Sequence, residues 1–131
     1  MTSDAALVEH WRSLLTSYNE VACHLERALS EAHGLSMSEF EILDRLVSQR
    51  CEKRRMQDLA ADMYLSQSAL SRAVARLEKS GLVARALCEA DRRGVFVTPT
   101  AEGLRRHTDA KATHLTVLAS HLQPAGQGVR R

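Results

Sequence analysis

Apolar side chains recur at steps of three and four residues near the start of the chain, over residues 5–33. This spacing predicts one long amphipathic helix. Gly34 suits the position just beyond its end, where a left-handed backbone is common. A second helix is predicted within "LSMSEFEILDRLVSQR", in which Ser36 or Ser38 supplies the N-cap.

The middle of the chain predicts two further helices, a short one over residues 57–64 and a longer one over residues 66–80. Residues 51–55, "CEKRR", are predicted to be a polar connector between the second helix and the third. The short helix and the longer one are joined by the turn "YLSQ". Two helices joined by a turn of a few residues form a helix-turn-helix unit.

After residue 82 the period of the apolar pattern changes from that of a helix to that of a strand. Apolar residues alternate on both sides of the charged loop "CEADRRG", which predicts an antiparallel hairpin over residues 83–98. Thr100 is expected to cap a last helix over residues 101–122, whose apolar positions are Leu104, Leu115, Leu118 and Leu122. The chain is therefore predicted to be mainly α with a small β-hairpin.

The helix predicted over residues 66–80 has two different sides. One is apolar and is expected to face the core, namely Leu70, Ala73, Val74 and Leu77. The other carries small polar groups at its N-terminal end and cations further along, namely Ser66, Gln67, Ser68, Ser71, Arg72, Arg76 and Lys79. Small leading residues let a helix enter the DNA major groove, where Ser and Gln can bond base edges and Arg and Lys can reach guanine or phosphates. The alternative is a side that simply faces water.

The hairpin tip favours the DNA interpretation. Arg92 and Arg93 lie in its "DRRG" sequence, where they can reach the minor groove beside the helix predicted over residues 66–80. Asp91 is expected to hold one of the two guanidinium groups by a bidentate pair.

The distribution of charge agrees with a polyanionic partner for the middle of the chain. Residues 1–44 carry eight acids and two Arg, whereas residues 45–93 carry eleven Lys or Arg and six acids. No apolar run approaches the length that spans a bilayer, and the N-terminus does not resemble a signal peptide. With three well-separated cysteines and no CxxC motif, the expected compartment is the cytoplasm, without a membrane partner.

Residues that carry metal or redox chemistry in other proteins give weaker signals. His107, His114 and His121 recur every seven residues, a rise of about 10.5 Å that is too long for two of them to share one ion. They are either a half-exposed face, two sites, or one site shared across a dimer; no metal is predicted. Cys23 is either a buried small apolar side chain or a redox-sensing thiol. With no catalytic motif visible, an enzyme is not expected, and no cofactor is predicted.

Residues 56–103 resemble the winged helix-turn-helix of the MarR (multiple antibiotic resistance regulator) family of transcription regulators. The resemblance rests on "RLEKSGLV" at 76–83, "DRR" at 91–93 and "VFVTPTAEG" at 95–103. The sequence "GLSMSEFEILDRL" at 34–46 is also similar to the second helix of that family.

The resemblance implies a homodimer that grips a palindromic operator. It implies a single domain over residues 1–131, with dimerisation helices at 5–33 and 101–122 and a winged helix-turn-helix at 36–99, in which the recognition helix is 66–80 and the wing is 83–98. It further implies that Ser66 to Arg72 enter the major groove, that Arg76 binds a phosphate, and that Arg93, oriented by Asp91, enters the minor groove.

The function that follows is a dimeric, sequence-specific repressor of transcription. The resemblance also implies ligand control, since many members of the MarR family are released from DNA by a small aromatic or anionic ligand. In that family the ligand is held between the dimerisation layer and the DNA-binding domain. Two alternatives remain: a thiol- or metal-responsive repressor, and a winged-helix protein-interaction module that does not bind DNA.

Overall fold

The computed structural model describes residues 3–48, 54–63, 65–87 and 95–122. Its elements, in chain order, are α1 (Asp4–His33), α2 (Met37–Ser48), β1 (Arg54–Arg55), α3 (Met56–Met63), α4 (Gln67–Lys79), β2 (Val83–Leu87), β3 (Val95–Pro99) and α5 (Ala101–His121). The predicted class, mainly α with a small antiparallel sheet, is confirmed, and the bounds of the predicted helices agree to within a residue or two.

The predicted helix ends rest on specific hydrogen bonds. Gly34 takes a left-handed backbone (φ 66°) at the end of α1. At the start of α2, the Ser36 Oγ accepts from the Glu39 backbone N–H at 3.0 Å, and the Glu39 Oε1 accepts from the Ser36 N–H at 2.9 Å. This reciprocal capping box makes Ser36, rather than Ser38, the N-cap of α2.

The hydrophobic core joins α2, α3 and α4 to the sheet and to the C-terminal half of α1. Its largest fully buried side chain is Phe40 of α2, and Leu29 of α1 packs in the same cluster. The apolar side of α4 faces this core as predicted, since Leu70, Ala73, Val74 and Leu77 are all buried. The core therefore fixes which side of α4 points outward.

The sheet has one strand more than the sequence predicted. Arg54 and Arg55, assigned to a polar connector, form β1 and pair antiparallel with Val97 and Phe96 of β3, which gives the strand order β1-β3-β2. Two residues are too few to show a period of two. Their extended conformation comes from pairing with a strand more than 40 residues away along the chain, which no local pattern reports.

Helix α5 buries a different side from the one that its leucines suggested. Gly103, His107 and Ala110 are its buried residues, while Leu104 and Leu115 stay exposed. The prediction of a half-exposed histidine face is wrong for His107, which is 5% exposed. Its Nε2 lies 2.9 Å from the Asp44 Oδ1, and this carboxylate explains how a polar ring is accommodated in the core.

The N-terminal half of α1 projects from the rest of the fold. Every residue from 3 to 20 is exposed, and the apolar stripe of this segment is among the exposed large side chains of the structure, namely Leu7, Val8, Trp11, Leu14, Leu15 and Tyr18. The same stripe becomes buried from Val21 onward. None of the helices described is both long enough and apolar enough to cross a bilayer.

Candidate nucleic-acid interface

The outward side of α4 is a continuous polar surface. All seven residues predicted to contact DNA from this helix are exposed: Ser66, Gln67, Ser68, Ser71, Arg72, Arg76 and Lys79. Because the opposite side is locked into the core, the helix cannot rotate to hide them. The cations lie along the body of the helix, and the small hydroxyl and amide groups lie at its N-terminal end.

Ser66 also has a structural role. It is the N-cap of α4, and its Oγ accepts from the Ala69 backbone N–H at 3.1 Å. The same oxygen lies 3.4 Å from the Ser68 Oγ. The cap holds the first turn of α4 in place, where the free N–H groups and the helix dipole favour an anion.

Arg76 has a partner that the sequence did not reveal. Its Nε donates to the Glu39 Oε2 at 2.6 Å, across 37 residues of sequence. The Arg76 side chain is nevertheless 55% exposed, whereas that of Glu39 is 11% exposed. The Ser36–Glu39 spacing was the available signal for the bond from the Ser36 N–H to the Glu39 carboxylate, but nothing in that spacing pointed to Arg76.

The hairpin that follows α4 is formed by β2 and β3, which pair antiparallel from Val83 opposite Pro99 to Leu87 opposite Val95. On β2, the Arg85 Nε lies 3.1 Å from the Glu78 Oε1 at the end of α4, which ties the hairpin to that helix. The three wing residues predicted to contact DNA, Asp91, Arg92 and Arg93, lie outside the described residues, and their roles stay predictions.

A second feature is a cavity of about 350 Å³ where α1, α2 and α5 meet. Its lining is mainly apolar, from Val21, Ala22, Leu25, Met37, Met63 and Leu118. Its polar lining is Tyr18, Glu41, Arg45 and His114. The His114 Nε2 lies 3.5 Å from the Glu41 Oε2, and its ring stacks on Phe40 with centroids 4.5 Å apart.

The candidate metal and redox residues are also placed. His121 of α5 stacks on His24 of α1 with ring centroids 3.8 Å apart, so the three α5 histidines have separate partners. Over the described ranges, no three His, Cys, Asp or Glu side chains come together to hold a metal ion. Cys23 is exposed, so its interpretation as a buried apolar side chain is wrong.

Comparison with known proteins identifies what this arrangement is similar to. Residues 35–95 match the MarR family model. The chain is 33% identical to AbsC, a MarR family transcriptional regulator from Streptomyces coelicolor, with a TM-score of 0.82 over 93% of this chain and 81% of that one. No curated protein matches it in sequence.

Two further solved structures carry a bound partner. Sco3205, a MarR family transcriptional regulator from Streptomyces coelicolor in complex with DNA, is 29% identical, with a TM-score of 0.87 over 98% of this chain and 83% of that one. CouR from Rhodococcus jostii RHA1, bound to p-coumaroyl-CoA, is 29% identical, with a TM-score of 0.76 over 88% of this chain and 80% of that one.

Proposed function

This chain belongs to the MarR family of DNA-binding transcription regulators, and from that premise we propose that it is a sequence-specific repressor that binds a palindromic operator as a homodimer. One observation carries the proposal: α4 presents an exposed row of hydroxyl, amide and cationic groups, while its other side is buried in the core. The complex of the related Sco3205 with DNA supports the choice of partner.

We assign the groove-reading role to the N-terminal end of α4, where Ser66, Gln67, Ser68, Ser71 and Arg72 are exposed. Small side chains there allow close approach to base edges. Arg76 and Lys79, further along the helix, bind phosphates and supply the non-specific part of the affinity.

The wing, residues 83–98, completes the DNA contact in this proposal. Arg93 enters the minor groove and is oriented by Asp91, and Arg92 binds the sugar-phosphate backbone of the DNA beside that groove. Replacing Arg93 with Ala is expected to cost about 1–3 kcal/mol and to relax sequence preference at the flanking positions. An equal loss on operator and random duplex would contradict this role.

The exposed apolar half of α1 supports the homodimer. Six large apolar side chains that are 40–61% exposed on one helix form a patch of the kind that marks an interface. Helices 5–33 and 101–122 therefore form the dimerisation layer, and residues 36–99 form the winged helix-turn-helix that this layer carries. A second copy doubles the DNA contacts and relates the two recognition helices by a two-fold axis.

The cavity between α1, α2 and α5 supports release by a small ligand. Its volume suits a compact organic molecule, and Arg45 gives it a cation that can pair with an anionic group. CouR bound to p-coumaroyl-CoA supports a ligand of aromatic character. We expect p-coumarate or benzoate to weaken DNA binding and Arg45→Ala to remove the response; a ligand effect that persists in Arg45→Ala would place the site elsewhere.

A thiol-responsive form of the same repressor is favoured by one observation, the exposure of Cys23. Loss of DNA binding on peroxide treatment that Cys23→Ser abolishes would support it. A response to the organic acids without any response to peroxide would support the ligand-released form.

The experiment that tests the proposed function is selection of bound duplexes from a random pool, followed by gel shifts at two salt concentrations. We expect enriched palindromes whose half-sites lie one helical turn or a multiple of it apart. A pool with no enrichment, together with no shift of random duplex at low salt, would instead indicate a winged-helix module that binds protein partners.

A further inference from the structure

Glu39 connects the first turn of α2 to α4, the helix that the proposed DNA contact uses. Its Oε1 accepts from the Ser36 backbone N–H at 2.9 Å, at the first turn of α2, and its Oε2 accepts from the Arg76 Nε at 2.6 Å. Each carboxylate oxygen therefore has a separate partner. One partner is backbone and cannot reorient independently, so the carboxylate itself is held in place.

This arrangement fixes the Nε of Arg76 in a side chain that stays more than half exposed as a whole. Only 8% of the Glu39 surface is exposed, and a carboxylate buried to this extent needs a paired cation. The contact uses Nε, so the terminal Nη groups lie at the far end of a side chain that is 55% exposed. An arginine held by Nε can present its Nη edge to a phosphate, which a lysine with a single nitrogen cannot do.

We propose that Glu39 is a positioning residue for DNA binding, which orders Arg76 before the phosphate arrives. The inference rests on the proposed function, because Arg76 must face DNA for its ordering to matter. Binding then loses less side-chain entropy, since the long side chain already has its bound conformation. The carboxylate also lowers the local positive charge. When Glu39 is neutralised, the loss of ordering should therefore weaken DNA binding, whereas the gain of positive charge should strengthen it.

The test is a double-mutant cycle of Glu39→Gln and Arg76→Ala, with affinity for the selected duplex measured at constant salt. Gln keeps an acceptor for the Ser36 N–H, because the capping box accepts Glu or Gln at this position. The matched control is Asp58→Asn, which neutralises an exposed carboxylate on α3 of the same domain. Thermal unfolding of each variant confirms that it is folded at the assay temperature.

We expect Glu39→Gln to weaken binding by roughly 2- to 10-fold, the effect of one unordered long side chain, although the protein gains positive charge. In the Arg76→Ala background the same change should have no weakening effect, because the residue it positions is gone. Asp58→Asn should leave affinity unchanged or raise it slightly. Unchanged or tighter binding by Glu39→Gln, or equal weakening in both backgrounds, overturns the positioning role.

A DNA-free measurement separates this inference from the proposed function. The Arg76 Nε–H signal in a nitrogen–proton correlation spectrum should be protected from solvent exchange in the wild type and exposed in Glu39→Gln. A wild type with the protected signal that binds no duplex would refute the proposed function, and the positioning role with it. A wild type that binds duplex but lacks the protected signal would refute the positioning role alone.

Discussion

The exposed stripe of α1 gives the most direct test of the proposed dimer, and Trp11 is its largest side chain. It is 58% exposed in the single chain. If an interface covers it, truncation to alanine removes roughly 100 Å² of apolar contact from each protomer, or about 2.5 kcal/mol at 25 cal/mol per Å². A two-fold dimer contains the position twice, so the total reaches about 5 kcal/mol.

As an upper value, that energy corresponds to an increase of between three and four powers of ten in the dimer dissociation constant. We expect Trp11→Ala to raise the dissociation constant at least about a hundredfold. Sedimentation equilibrium over a wide range of protein concentration measures the constant directly. Ser13→Ala is the matched control, because Ser13 is also exposed and lies nearly opposite Trp11 on the helix. A change below about threefold for Trp11→Ala, or equal changes for both variants, would refute a dimer built on this stripe.

Three further predictions follow from single contacts. Arg76→Ala should weaken binding to all duplexes and lower the salt slope by about one, and Arg76→Lys should lose most of the same affinity; full retention by lysine would argue against presentation of the Nη edge. Gly103→Ala should destabilise the fold by about 1–3 kcal/mol in urea unfolding, because the added Cβ would lie 2.0 Å from the Leu82 backbone carbonyl oxygen; a tolerated Gly103→Ala would show that α5 can shift. Gly81→Ala, which has open space but a φ of +78°, should cost about 1–2 kcal/mol from backbone strain alone. The pKa of Glu102 lies below its ordinary value because of its hydrogen bond to Arg105 and the positive charge of that residue. The pair therefore stabilises the fold at neutral pH, and this contribution is lost as the carboxylate protonates on acidification. Arg105→Ala should raise the pKa of Glu102 in an NMR titration, and an unchanged pKa would contradict the pairing.

The helices could be predicted because their information is local. A period of three to four residues and a capping residue identify α4 and both of its sides without reference to the rest of the chain. The outward row of predicted DNA-contacting residues on α4 followed directly, since a helix with one apolar side must expose the other. Thr100 was found in the same way, and its Oγ1 accepts from the Gly103 N–H at 3.0 Å.

The features that were missed depend on contacts between distant segments. Arg54 and Arg55 become a strand only because β3 pairs with them. His107 is buried because Asp44 of α2 supplies an acceptor for its ring, so a polar residue occupies a position that a hydrophobicity pattern assigns to solvent. Arg76 is exposed as predicted, but the bond to Glu39 that restrains it depends on how α2 crosses α4.

The positions of the helices, the outward side of α4 and the family motifs could all be read from the sequence alone, because backbone periodicity and capping act over a few neighbouring residues. Folding determines which side of α5 is buried, which acid restrains Arg76, and that the described residues leave the first half of α1 exposed. These features escape a local pattern because burial and ion pairing depend on distance in space, and the residues concerned are far apart along the chain.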